Sequence, residues 1–322
     1  MKKIIRHLAI AYLSGLALFG ATQTLAQTYP SQTIKIVVPF PAGGGTDMLA
    51  RLVAQKLQDS WHQPVVVENK PGAGGSIGAA QVAKAAPDGY TVLFNTTSMI
   101  QLTTLMKLSY DPHKDFTPIS RVAISTSVLA AAPTVPASTL SEFVKLVKAQ
   151  PGKHSFGTYG PGSSAHFQGE MLNLQAGTDL MHIPYQGSAP LITAMLGGQV
   201  SSSFLDAGSS RQHLSKFKLL AVTGTERLSW LPNVPTLKEQ GYNGFESRGW
   251  FGIFLPAGVP KPVVDKFSAE VLRLLKLPEV REKIESMGLI PGGESSEHFA
   301  KVMKHDAEVY ARIIRDAKIT MN

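Results

Sequence analysis

Twice in this chain a short β-branched run passes through a glycine-rich loop into a helical pattern, and no other feature limits the possible folds as strongly. The first opening is Ile34-Lys35-Ile36-Val37-Val38, then Pro39 to Asp47, then apolar residues at helical spacing through Leu49, Leu52, Val53 and Leu57. The second is His154 to Thr158, then Tyr159-Gly160-Pro161-Gly162-Ser163-Ser164, then a helix from about Ala165 to Ala176. After the first come a strand at Val65 to Glu68, a Gly72 to Gly78 loop, a helix over Ile77 to Ala86, an Asp88-Gly89 turn and a strand at Tyr90 to Phe94. After the second come strands at Leu180 to Pro184, Gln199 to Leu205 and Leu219 to Thr223, with a helix near Ala189 to Gly197. Alternation of this kind predicts parallel sheets covered by helices, one per lobe.

The remaining segments join the two sets. Val122 to Ser127 and Trp250 to Phe254 are expected as the two crossings of a two-strand hinge, and Leu140 to Gln150 as a helix of the second lobe. Beyond Pro256 the pattern is helical over Pro262 to Leu277, Pro278 to Met287 and Glu297 to Ile314, read as a return that covers the first lobe. At the start, Lys2, Lys3 and Arg6 precede an apolar stretch from Leu8 to Ala21, and Thr24-Leu25-Ala26 places small residues where a signal peptidase reads. The expected organisation is a signal over 1–26 cut after Ala26, the first part of lobe one over 27–124, lobe two over 125–252, and the return to lobe one over 253–322.

Several function classes fall away on composition. There is no cysteine, so disulfides, thiolate metal sites, thiol nucleophiles and a lipid-bearing cysteine are excluded. The formal charge of +8 is spread among acids without a basic stripe, which argues against a nucleic-acid partner. Neither a phosphate-binding loop ending in Gly-Lys-Ser/Thr nor His-Glu-x-x-His occurs, and the nine histidines lack ligand spacing, so no metal and no cofactor are expected.

The candidate chemistry sits in the two glycine-rich loops. Glycines there let backbone approach a ligand and expose amide N–H groups at a helix N-terminus, which is where anions bind. The plainer reading of the first loop is a tight turn with Thr46 or Asp47 as helix cap. The second loop adds Thr158, Ser163, Ser164 and His166, with the serines as alternative caps and His166 as an alternative structural residue. Further on, Tyr185 comes after the strand ending at Pro184 and Asp206 ends the strand through Phe204-Leu205, positions where open α/β sheets bind ligands. Asp206 either accepts from a ligand's donor or caps the next segment of chain. Trp230 and Trp250 read as core or lobe-interface residues. A weaker alternative is a nucleotide-dependent enzyme, because Gly160-x-Gly162-x-x-Ala165 varies the dinucleotide fingerprint with Asp179 downstream, although that acid precedes its strand instead of ending it.

Val38-Pro39-Phe40-Pro41-Ala42-Gly43-Gly44-Gly45-Thr46-Asp47, Glu68-Asn69-Lys70-Pro71-Gly72-Ala73-Gly74-Gly75, Pro87-Asp88-Gly89-Tyr90-Thr91, Gly162-Ser163-Ser164-Ala165-His166, Pro184-Tyr185-Gln186-Gly187 and Leu231-Pro232-Asn233-Val234-Pro235-Thr236 together resemble the Bug family of extracytoplasmic solute receptors. These are the binding components of tripartite tricarboxylate transporters. The resemblance implies a type II periplasmic-binding-protein fold and a periplasmic receptor without catalytic activity, which holds a carboxylate through loop amides and ordered waters with no obligatory arginine. It implies Phe40, Ala42, Gly43, Gly44, Thr46 and Asp47 as the ligand-binding set of lobe one, and Thr158, Ser163, Ser164, His166, Tyr185 and Asp206 as that of lobe two. The solute class is a di- or tricarboxylate, an amino acid or an aromatic acid, and the implied partners are membrane permease subunits. A stand-alone sensor receptor with a signalling partner is the alternative within the same fold. Gly160-Pro161-Gly162 and Ser201 to Asp206 depart from the family pattern in detail, at the far end of the expected pocket.

Overall fold

The computed structural model describes residues 29–245 and 249–316, so the expected signal and its cut after Ala26 lie outside the described residues. From Gln32 onward the chain forms one compact unit. In chain order its elements are β1 (Ile34–Val38), α1 (Gly45–Trp61), β2 (Val65–Asn69), α2 (Ser76–Ala83), β3 (Thr91–Thr96), α3 (Ser98–Leu105), β4 (Phe116–Ser125), β5 (Ser127–Ala131), α4 (Leu140–Ala149) and β6 (Ser155–Thr158). Next come α5 (Ser164–Ala176), β7 (Met181–Pro184), α6 (Ser188–Leu196), β8 (Ser202–Asp206), β9 (Lys218–Val222), β10 (Gly249–Pro256), α7 (Lys261–Leu274), α8 (Pro278–Ser286), β11 (Ile290–Pro291) and α9 (Ser296–Asp316).

The strands form two sheets, a six-stranded one ordered β11-β4-β10-β3-β1-β2 and a five-stranded one ordered β7-β6-β8-β5-β9. Each is the core of an α/β lobe, and the architecture is that of a type II periplasmic binding protein. The sheets are mixed where the alternation predicted parallel ones. β1 is parallel to β2 and β3, and β6 to β7 and β8, but β10 runs antiparallel to β3 and β4, as does β5 to β8 and β9. The reason lies in the connections: a strand that arrives from the other lobe needs no helical crossover to reach its place, so it inserts antiparallel beside strands that do.

The crossing from lobe one to lobe two is narrow, since β4 ends at Ser125 and β5 begins at Ser127. Trp250 to Phe254, expected as the second crossing, are instead strand residues of the first sheet, with Phe251 opposite Thr96 on one side and Ala123 on the other. The return into lobe one is therefore complete by Gly249. Two elements escape the sequence pattern altogether, the short helix α3 and the two-residue β11 that pairs with β4.

Burial explains the strand composition. Ile34, Ile36, Val37 and Val38 are all fully buried, because helices cover both faces of the sheet and leave no side to alternate. On α9, Phe299, Met303, Tyr310 and Ile314 recur at helical spacing and pack with Trp250 and Phe254 in one cluster. Trp250 donates its indole N–H to Asp306 at 3.1 Å, which satisfies a polar atom deep in that cluster. Phe167 of α5 belongs to the same cluster, with its ring centroid 5.8 Å from that of Tyr310. The returning helix thus touches both lobes.

Candidate functional site

A cavity of about 250 Å³ opens between the sheets, and both lobes and the strands that join them supply its wall. Lobe one contributes Phe40 from the first glycine loop and Thr96, Thr97, Ser98 and Gln101 from the passage of β3 into α3. The floor is Ser125, Ser127 and Gly249 to Phe251, and lobe two adds Tyr159, Gly162, Ser163, Ser164 and Asp206. Thr97 fixes the floor: its hydroxyl accepts the Trp250 N–H at 2.8 Å, and its own N–H donates to the Trp250 carbonyl at 3.2 Å.

The first loop ends in a helix start that no side chain caps. Gly44 is the cap residue of α1, so neither Thr46 nor Asp47 plays that part. Asp47 lies in the first turn, 3% exposed, and reaches back. One carboxylate oxygen accepts the Gly43 N–H and the Arg51 Nε–H, each at 2.9 Å, and the other accepts Asn69 Nδ2 at 3.0 Å. Asn69 also donates to the Phe40 carbonyl at 3.1 Å, so the end of β2 ties down both ends of the loop. Burial pushes the Asp47 carboxyl upward, but bonds from Arg51, Gly43 and Asn69 outweigh it and hold the group below its ordinary value. Its charge is satisfied inside the loop. Thr46 and Asp47 are buried beneath the turn, whereas Ala42, Gly43 and Gly44 are exposed on it, and Phe40 is the one lobe-one candidate in the cavity wall. Gly43 holds φ at +82°, a left-handed conformation that favours glycine.

The second loop is built from neutral groups. Ser163 is the cap residue of α5, yet its hydroxyl donates to the Gly160 carbonyl at 2.7 Å instead of capping the helix. Thr158, fully buried, receives the Gly160 N–H at 3.3 Å and pairs with His182 Nε2 at 2.7 Å. His166 stands behind the loop: its Nδ1 accepts the Gly162 N–H at 3.2 Å, and its ring stacks on His182 with centroids 3.9 Å apart. Phe156 stacks on His182 at 5.1 Å. Burial, and then the neighbouring His182, lower the His166 pKa to about 4, and burial lowers His182 as well. Glu170, its carboxyl raised by burial, lies 3.9 Å from His166 Nε2.

The lobe-two candidates therefore divide. Ser163, Ser164 and Asp206 line the cavity, while Thr158 and His166 support the loop from within. Tyr185 is half-buried and packs on the apolar cluster that holds Leu191 and Val200. Asp206 carries both of its expected parts in geometry, since one oxygen accepts the Ser209 N–H at 2.8 Å and the other the Ser125 hydroxyl, and the residue also faces the cavity. Sequence reading missed Tyr159, whose buried hydroxyl donates to the Phe204 carbonyl at 3.2 Å and accepts the Asp206 N–H. It also missed Thr96 to Gln101, because α3 is too short and mixes polar with apolar residues too evenly to show a helical stripe.

Other candidate chemistries find no support. Asp179 accepts the Gly152 N–H at 3.0 Å, before β6 begins, and so sits at the opposite end of that strand from the loop a ribose-binding acid would serve. Gly74-Gly75-Ser76-Ile77-Gly78 has the spacing of a nucleophile elbow, but Ser76 opens α2 with no histidine bonded to it among the described residues. His154 pairs with Ser201 at 3.3 Å, apart from the His166–His182 stack, and the described residues hold no group of three or more residues placed to bind a metal.

Known proteins share this fold. The family model described as tripartite tricarboxylate transporter family receptor matches residues 49–319. A protein from Pseudomonas sp. (strain P51), UPF0065 protein in the tcbD-tcbE intergenic region, is 35% identical over 96% of this chain and 95% of its own. Among solved structures, R. palustris Rpa4515 with adipate superposes with a TM-score of 0.81 at 29% identity, covering 91% of this chain and 99% of that one. MatC from Rhodopseudomonas palustris with bound malate gives 0.77 at 31% identity, covering 89% and 100%. A match of this extent places the chain in the receptor family of tripartite tricarboxylate transporters, the solute-binding, non-enzymatic family to which the Bug proteins belong.

Proposed function

We propose that this protein is a periplasmic receptor that captures a small carboxylate between its lobes and presents it to the permease subunits of a tripartite transporter. One observation carries the reading: α1 and α5 both start without side-chain caps, from glycine-rich loops held by hydrogen bonds from behind, and both loops put residues in the wall of one cavity. Free amide N–H groups and the positive end of a helix suit a carboxylate and require no arginine. Gly43, Gly44, Ser163 and Ser164 would contact the ligand, with Phe40 and Asp206 as walls, and Asp47, Thr158 and His166 would position the loops. Ala42, Thr46 and Tyr185 complete the two openings on which those contacts rest. The adipate and malate bound to the two neighbours support the carboxylate class. A ligand with contacts to both lobes favours the closed arrangement by its differential affinity for it.

A thermal-shift screen tests this with mono-, di- and tricarboxylates, amino acids, aromatic acids and nicotinamide nucleotides. A ligand at a hundredfold excess over Kd adds about 2.7 kcal/mol, a rise of several degrees for a chain this size. A shift with one carboxylate class supports the receptor, and a shift with a nucleotide alone defeats it.

A further inference from the structure

The cavity wall contains one acidic side chain among its described residues, that of Asp206. No lysine, arginine or histidine stands beside Asp206 in that wall. Its carboxylate is fixed in place, with the Ser125 hydroxyl on one oxygen and the Ser209 N–H on the other. A carboxylate has about four acceptor sites, so these bonds leave acceptor capacity directed at the cavity. At the lobe-one side the wall is neutral, formed by Thr96, Thr97, Ser98 and Gln101.

We infer that Asp206 selects carboxylates whose second polar group donates a hydrogen bond, that is, hydroxy acids and amino acids, and rejects those that would place a second carboxylate beside it. The inference rests on the carboxylate-receptor reading above and narrows it. A hydroxyl or ammonium next to Asp206 completes its hydrogen bonding. A second carboxylate there meets a like charge with no cation among the described residues of the wall to separate them. The start of α5, with Ser163 and Ser164 in the cavity wall, then takes the ligand's own carboxylate, which fixes the direction in which the solute lies.

Isothermal titration of protein expressed from the full chain separates the possibilities with matched ligands: butyrate, 4-hydroxybutyrate, 4-aminobutyrate and succinate, and benzoate, 4-hydroxybenzoate, 4-aminobenzoate and terephthalate. Within the series that binds, the hydroxyl or amino member is expected to bind at least about tenfold more tightly than the member with a second carboxylate. Asp206→Asn removes the charge, keeps an acceptor for the Ser209 N–H, and is expected to abolish or reverse that ranking. Second-carboxylate members that bind as well as the hydroxyl or amino ones, in the unaltered protein, overturn the inference and leave the receptor reading intact. An Asp206→Asn protein of unchanged melting temperature that keeps the original ranking also overturns it. Absence of binding by every carboxylate in both series overturns the inference and the carboxylate reading together, so the two failures are told apart.

Discussion

The two glycine-rich openings have one plan and opposite electrostatics. Below the first loop lies an ionised network, Asp47 with Arg51 and Asn69; below the second lies a neutral one, His166 stacked on His182 with Thr158 and Ser163. Both networks hold the backbone of a loop at the start of an uncapped helix, α1 or α5. The comparison teaches that the motif specifies where amides point, while the residues behind it decide what can disturb them. A charged support withstands acid until its own carboxylate is protonated, but leaves an uncompensated group if one partner is deleted. A neutral histidine support costs little to bury and fails by gaining a proton.

Asp47→Ala should produce the largest effect on this contrast at neutral pH. It strips acceptors from the Gly43 N–H, Arg51 and Asn69 at a site 3% exposed. Stripping a buried carboxylate from partners that water can reach costs about 1 to 2 kcal/mol, which urea denaturation resolves, and carboxylate binding should weaken with it. A loss below about 0.5 kcal/mol, within the range of ordinary surface substitutions, would show that the first loop keeps its shape without the ionised network.

Acid should reach the second loop first. The His166 pKa in the fold, about 4, lies below the value near 6.5 of an unfolded histidine. Between those values the unfolded chain binds a proton that the folded chain refuses, so stability is level above pH ~6.5 and falls as pH drops toward 4, by an amount on the order of 3 kcal/mol. Asp47, depressed below its ordinary value, acts in a lower window: its contribution is present above the usual carboxylate range and is lost only as pH falls beneath it. Urea melts across pH 7 to 4 should show the decline, and His166→Gln should remove the larger part of it, with the remainder belonging to His182 and His154, both also lowered by burial. A His166→Gln protein with an undiminished decline would move the acid-sensitive element elsewhere.

The openings themselves were legible in the sequence because strand, glycine run and helix differ sharply in composition over a few residues. So were most of the strands, because side chains buried on both faces leave continuous β-branched runs such as Ile34 to Val38. What stayed hidden depends on distance along the chain. Asn69 supports a loop that lies 22 positions away at Asp47, and Asp206 meets Ser125 across 81. Thr97 closes the cavity floor against Trp250, 153 residues on, and no local pattern marks that pairing. The mixed character of the sheets was hidden for the same reason, since the antiparallel strands β5 and β10 owe their direction to crossings between lobes and not to their own residues.

Gly43→Ala is the mildest perturbation, and it asks whether the exposed face of the first loop is a contact surface. The backbone there holds φ at +82°, and a Cβ placed on it meets nothing within 4 Å. The substitution therefore adds conformational strain without a clash, which costs about 1 kcal/mol. If the loop touches no ligand, affinity should change only by the small amount that a slightly strained loop imposes. If the Gly44 amide and the first turn of α1 close onto a carboxylate, the new methyl group at position 43 occupies the space through which the ligand approaches, and affinity should fall at least about tenfold, more than 1.4 kcal/mol, beyond the loss of stability. Measuring both quantities on one variant separates strain from contact: equal losses would assign the first loop a structural role and leave anion binding to the start of α5, whereas a larger loss of affinity would make the two openings a clamp.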